Sequence, residues 1–191
     1  MTTHETLTAS VRRLIDATIR TEVDAAAIVA AKNKIDSATA QLSDMLMPGS
    51  FGVQLTHDGQ SIALGNVVIG QRNPVAPPLV IRDEADGTVC TNFVLGAAYE
   101  GPPGMLHGGV CALILDHVLG ATAHLPNKPA YTGTLTLRYL RGTPLGQPLC
   151  ARAHVERIDG AKTFAVGHIA DAEGVTVQAE GVFIHPRKAQ R

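Results

Sequence analysis

Cysteine is scarce in this chain, and its placement is uninformative for metal. Cys90, Cys111 and Cys150 are odd in number and widely spaced. No C-x-x-C or other metal-ligating spacing occurs, which predicts a reducing compartment and no metal site. Charge of one sign is also missing. Sixteen Lys and Arg stand against 17 Asp and Glu, a formal net charge of -1, so no bulk attraction to nucleic acid or anionic membrane is expected. No apolar run reaches the ~18 residues of a membrane span. The start, "MTTHETLTAS", lacks the basic and apolar regions of a secretory signal. A soluble cytoplasmic protein is the expectation.

What is present suffices for one domain of ordinary size with an added terminal element. The 191 residues are 45% apolar, enough for a sizeable core. Charge is uneven along the chain: residues 1–137 hold 8 Lys/Arg and 12 Asp/Glu, residues 138–191 hold 8 and 5. The basic C-terminal part would suit an anionic ligand.

Residues 5–47 have a helical rhythm, with Leu7, Val11, Leu14, Ile15 and Ile19 at steps of three and four. "TEVD" (21–24) reads as a T-x-x-D cap, after which Ile28, Ile35, Leu42 and Met45 continue the pattern until Pro48-Gly49. This segment holds no chemical motif and is expected to pack on the main domain or on a second subunit. From Phe51 the texture becomes short β-rich runs. A hairpin is expected around Asp58-Gly59, then a strand in "TVCTNFVLGAA", a loop "YEGPPGML", a helix over about 108–123, and "LPNKP" as a breaker. Four strands follow, at about 130–141, 148–158, 161–170 and 175–184, joined by "GTPLGQ", "IDGA" and "DAEG".

The chemistry concentrates in "LHGGVCALILD", residues 106–116. On a helix, Gly109, Ala112, Asp116, Gly120 and Ala123 share one small-sided stripe, while Val110, Ile114, Leu115 and Val118 suit burial against a sheet. A carboxylate in such a helix costs several kcal/mol unless compensated. The glycines leave backbone N–H groups approachable at a helix N-terminus, which attracts negative charge. An oxyanion site with a carboxylate two turns on suits hydrolysis of an activated acyl group.

"YEGPPGMLHGGVCALILDHVLG" resembles the signature of the hotdog-fold acyl-CoA thioesterases, in the branch that includes the phenylacetate-pathway enzymes: an HGG turn, then Asp nine residues after the His. "TLTLRYLRGTPLGQPLCARAHVER" and "GVTVQAEGVFI" resemble the family's later strands. The resemblance covers roughly residues 51–185. It implies an α+β hotdog fold, an antiparallel sheet wrapped around one central helix, over 51–186, with residues 1–50 as a helical N-terminal extension. It further implies a homodimer with two shared active sites, which a dimer of dimers would double, acyl-CoA as substrate and no other cofactor. Asp116 would be the general base, or a nucleophile forming an acyl-enzyme anhydride. The Gly109 N–H, with Gly108, would polarise the thioester carbonyl, and His107 would hold the loop or touch the thioester. Thr132 stands at the spacing of a family threonine that positions water from the facing subunit, with Thr134 two residues on and expected on the same face. Arg138, Arg141, Arg157 and Lys162 are the candidates for the CoA phosphates.

Rival chemistries are weaker. All five serines lie between Ser10 and Ser61 and none is in G-x-S-x-G. Cys111 on the same helix reads as a small buried thiol, and His107, Asp116, His117 and His124 lack zinc spacing. Two readings stay open beside the thioesterase: a non-catalytic acyl-CoA-binding dimer, and a hotdog acyl-thioester dehydratase or hydratase, although His117 points about 100° from Asp116 on a helix.

Overall fold

The structure, a computed structural model, describes residues 2–49, 51–52, 54–55, 61–77, 79–124 and 129–186. The chain divides into two compact units, Met1–Asn66 with Gly70–Pro74, and Val67–Ile69 with Val75–Arg191. The first therefore takes in residues beyond the helical extension that ends at 50.

In the first unit, α1 (Thr3–Arg20) opens with a capping box: Thr2 Oγ1 accepts from the Glu5 N–H, and Glu5 Oε2 accepts from the Thr2 N–H. In α2 (Ala25–Ser43) the cap differs from the T-x-x-D expectation. Asp24 is itself the N-cap, accepting from the Ala27 N–H at 2.8 Å, whereas Thr21 is the C-cap of α1. A short aspartate next to the first free N–H groups competes well for that position. Strands β1 (Gln54–Leu55) and β2 (Ser61–Ile62) pair antiparallel. The expected Asp58-Gly59 turn between them lies outside the described residues, as does most of the breaker after the central helix.

Among the described residues, the second unit holds one six-stranded antiparallel sheet, one α-helix and a short 3-10 turn at Ala97–Tyr99. The strands are β3 (Arg82–Asp83), β4 (Val89–Phe93), β5 (Tyr131–Tyr139), β6 (Leu149–Asp159), β7 (Lys162–Asp171) and β8 (Gly174–Ile184), in the order β3-β4-β6-β7-β8-β5. The helix α3 (Gly108–Ala123) lies on one face. Alternation decides which side chains meet it. Val89 and Phe93, Ala151 and Ala153, Ala165 and Ile169, and Val177, Ala179 and Phe183 are buried with Cys111, Ile114, Leu115, Val118 and Leu119. Close approach requires glycine on two strands: a Cβ on Gly167 would stand 2.8 Å from Leu119 Cδ1, and one on Gly181 3.1 Å from Leu119 Cδ2. No helix among the described residues is long and apolar enough to cross a membrane.

Candidate active site

The turn before α3 is built from both sides. The His107 N–H donates to the Tyr99 carbonyl at 2.9 Å, and the Gly101 N–H to the Met105 carbonyl at 2.9 Å. Gly101 lies so close that a Cβ there would be 2.7 Å from His107 Cα. His107 is the N-cap of α3. Its Nδ1 accepts from the Gly109 N–H at 3.0 Å, so the donor expected to face a substrate carbonyl is occupied by the cap. The Gly108 N–H has no acceptor among the described residues. The Gly108 carbonyl accepts from Tyr139 Oη at 2.8 Å, and a Cβ on Gly108 would stand 3.3 Å from the Tyr139 ring. Tyr139 escaped the sequence reading because nothing in its local context relates it to residues 31 positions earlier.

Asp116 is half-buried on the small-sided stripe. Thr132 Oγ1 donates to its Oδ1 at 2.8 Å. The threonine expected to act from a facing subunit thus holds the carboxylate of its own chain. Thr134 does not share its face. Thr132 pairs with Phe183 but Thr134 with Val182, because a bulge at Gly133 inserts one residue into β5. One extra residue turns every following side chain over. Leu135, Leu137 and Tyr139 therefore point toward α3, and Thr134 points away.

The same parity relocates the candidate phosphate-binding cations. Arg138 pairs with Gln178, and Arg157 with Phe164 across a second bulge in β6, its guanidinium 3.3 Å from the Phe164 ring centroid. Lys162 neighbours buried Thr163 and shares the parity of Phe164. All three lie on the sheet face away from α3. Lys162 and Arg138 are at opposite ends: Lys162 shares Ile184 with Tyr131, while Arg138 lies at the level of His168, about 20 Å along the strands. Arg141 is committed elsewhere. It forms a two-pronged ion pair with Asp171, at 2.7 Å through Nη1, and Nη2 also donates to the Gly174 carbonyl at 2.8 Å. The hydrogen bonds from Arg141 hold the Asp171 carboxyl down at about 2. Asp171, 30 residues away in sequence, offered no local signal of this pairing. Of the four, Arg157 and Lys162 are diagonal neighbours across the β6–β7 pair, while Arg138 and Arg141 lie apart from them.

Two bystanders on α3 are quiet. Burial pushes the Cys111 thiol up; its Sγ lies 3.7 Å from Thr143 Oγ1, which donates to Thr176 Oγ1 at 2.9 Å. A thiol held protonated is a poor nucleophile. Burial holds His117 below the usual histidine range, against the opposing pull of Asp116, so it stays neutral at physiological pH. Among the described residues, no three His, Cys, Asp or Glu side chains are grouped to hold a metal ion.

An antiparallel sheet laid over one central helix is the hotdog architecture, and here that helix carries a glycine-rich N-terminus and a hydroxyl-held carboxylate. The Thioesterase superfamily profile matches residues 103–178, which include α3 and Thr132. A crystal structure described as a thioesterase superfamily protein is 34% identical, with a TM-score of 0.86 over 96% of this chain and 95% of that one. The chain belongs to the thioesterase superfamily. A phenylacetic acid degradation-related protein from Ralstonia eutropha is 27% identical, with a TM-score of 0.51 over 56% of this chain and 84% of its own. Human acyl-coenzyme A thioesterase THEM5 is 29% identical over 99 residues, 51% of this chain and 40% of that protein. This chain spans about two fifths of the length of the curated relatives it matches.

Proposed function

We propose that the protein hydrolyses an acyl-CoA thioester to the free acid and CoA. The single observation that carries this reading is the Thr132–Asp116 hydrogen bond. It fixes one carboxylate oxygen and leaves Oδ2 free to take a proton from water. The water oxygen attacks the thioester carbon, Asp116 takes the proton, the C–S bond breaks, and the proton passes to the departing CoA sulfur. The developing oxyanion takes the free Gly108 N–H and competes with His107 Nδ1 for the Gly109 N–H. Such donors supply roughly 3–4 kcal/mol each when aimed at the oxyanion.

The site is shared between two copies. Asp116 stands seven positions after Gly109, about 10 Å along the axis, a long reach for one carbonyl and one attacking water. The N–H groups of one copy facing the Asp116–Thr132 pair of another shorten it. β5 supports the pairing: it is a nine-residue sheet edge, mostly exposed, and an unprotected edge of that length invites another strand.

Thiol release from acetyl- to palmitoyl-CoA, phenylacetyl-CoA and benzoyl-CoA tests the reading. Wild type is expected to turn over some member of the panel, and Asp116→Asn to lose about 100-fold or more. A folded wild type that binds CoA yet hydrolyses none would overturn the reading in favour of a binding dimer.

A further inference from the structure

We infer that α2 is a docking helix for a second copy of this chain, packing antiparallel against that copy's α2. The inference does not depend on the chemistry proposed above, but it rests on the sheet-edge pairing given with it. Ile28, Ala31, Ile35, Ala38, Leu42 and Met45 recur at alternating steps of three and four, the a and d positions of a heptad. No residue of α2 is buried. Ile28 is 50% exposed, Ile35 38%, Leu42 54% and Met45 91%. Helical stability in proteins comes mainly from packing an apolar face, and this face meets water.

The sizes along the stripe select the occupant and its direction. Every a position is large (Ile28, Ile35, Leu42), and both d positions inside the helix are alanine (Ala31, Ala38). In a parallel pair a faces a and d faces d, which sets isoleucine against isoleucine and leaves a gap at each alanine layer. In an antiparallel pair a faces d. Ile35 then covers the partner's Ala38, Leu42 covers the partner's Ala31, and Ile28 meets the partner's Met45. Each layer inside the helix matches a large side chain with a small one, as close packing requires. A helix with both halves of this pattern is complementary to itself.

Charge agrees with that arrangement. Lys32 is already paired with Asp36 of its own helix at 2.5 Å. The flanking positions set Lys32 beside the partner's Thr39 and Lys34 beside the partner's Gln41, so no like charges are opposed. The helix dipoles also run oppositely. Area decides the assembly. A 19-residue helix is about 28 Å long, and one such contact is small beside the roughly 1,200 Å² of a stable free-standing pair. A contact that occurs twice, as in a dimer of dimers, meets the need. α2 therefore joins two dimers whose sheets are already paired.

The mass of the full chain in solution tests this, by sedimentation of wild type, of Ile35→Asp/Leu42→Asp, and of Ala40→Lys on the opposite face of α2. Wild type and Ala40→Lys are expected to share one mass and the double aspartate variant to carry half of it, with thermal unfolding showing that all three are folded. An unchanged mass for the double variant overturns the inference. A wild-type dimer that becomes a monomer would overturn the inference that α2 joins two dimers, because a single α2 contact would then hold a pair unaided. Direction is read by oxidation. Ala31→Cys/Leu42→Cys is expected to form interchain disulfides, because the two positions are about 16 Å apart in one chain and cannot bridge internally. Cross-linking of Ala31→Cys alone would mean a parallel pair and overturn the antiparallel assignment.

Discussion

Gly101→Ala tests whether the turn that feeds α3 is a rigid support for the site. The new methyl would stand 2.7 Å from His107 Cα and 3.1 Å from its Cβ and N. Carbon atoms rest at about 3.5–4.0 Å, so one backbone segment must retreat by about 1 Å. Neither retreats freely, because the Gly101 N–H is bonded to Met105 and the His107 N–H to Tyr99. Overpacking of this kind costs about 1–3 kcal/mol. Moving His107 carries the Gly108 and Gly109 N–H groups with it, and a misplacement of about 1 Å can cost about 100-fold in rate. Urea unfolding and acyl-CoA hydrolysis are therefore expected to show a modest stability loss and a far larger loss in kcat/KM. Gly104→Ala is the control. Gly104 has φ +73 and no neighbour within 4 Å of an added Cβ. The variant should lose about 1–2 kcal/mol to left-handed backbone strain and keep its activity while folded. Wild-type stability and kcat/KM in Gly101→Ala would refute the reasoning.

Thr132→Val removes the hydroxyl that holds Asp116 Oδ1; a bond to a charged group is worth about 1.5–3 kcal/mol of stability, so thermal melts should show a loss of up to that order, and kcat should fall about 10- to 100-fold because the carboxylate loses its orientation. Thr134→Val, on the other face of β5, should leave kcat unaltered in the same assay. Arg141→Gln should destabilise the fold in a pH-dependent way. The folded Asp171 carboxyl sits at about 2, below its ordinary 3.8, so its contribution is complete above about pH 4 and is lost as pH falls toward 2. Denaturation midpoints of wild type and variant should therefore differ at neutral pH and converge across that acid window. Phe183→Ala, at a side chain only 1% exposed, should cost about 3–5 kcal/mol in urea unfolding.

The second unit was largely legible because its signals are local and agree. The expected helix over about 108–123 is Gly108–Ala123, and the four expected strands fall within two residues of β5, β6, β7 and β8 at each end. Turn residues set those limits: Gly146, Gly160 and Gly174 all adopt positive φ, in the "GTPLGQ", "IDGA" and "DAEG" connections. Pairings made by the fold were not legible. Simple alternation placed Thr134 with Thr132, and only the bulge at Gly133 separates them. Arg138 and Arg157 are candidate phosphate cations, but which sheet face each takes is invisible without the register of Arg138 with Gln178 and Arg157 with Phe164. Arg141 looked free because Asp171 is distant in sequence. Asp24 displaced Thr21 as a cap, since both are competent caps and the end of α1 decides between them.

Mixed dimers test the central claim most directly. Asp116→Asn and Gly109→Val subunits, each also carrying Ile35→Asp/Leu42→Asp so that dimers stay apart, separately tagged and purified as the hybrid, place both lesions on one composite site and leave the other with an intact Asp116–Thr132 pair and intact N–H groups. The account expects both parent homodimers to be inactive in thioester hydrolysis and the hybrid to recover about half the wild-type rate per dimer. An inactive hybrid, folded and dimeric, would contradict it by placing carboxylate and helix N-terminus in the same chain's site.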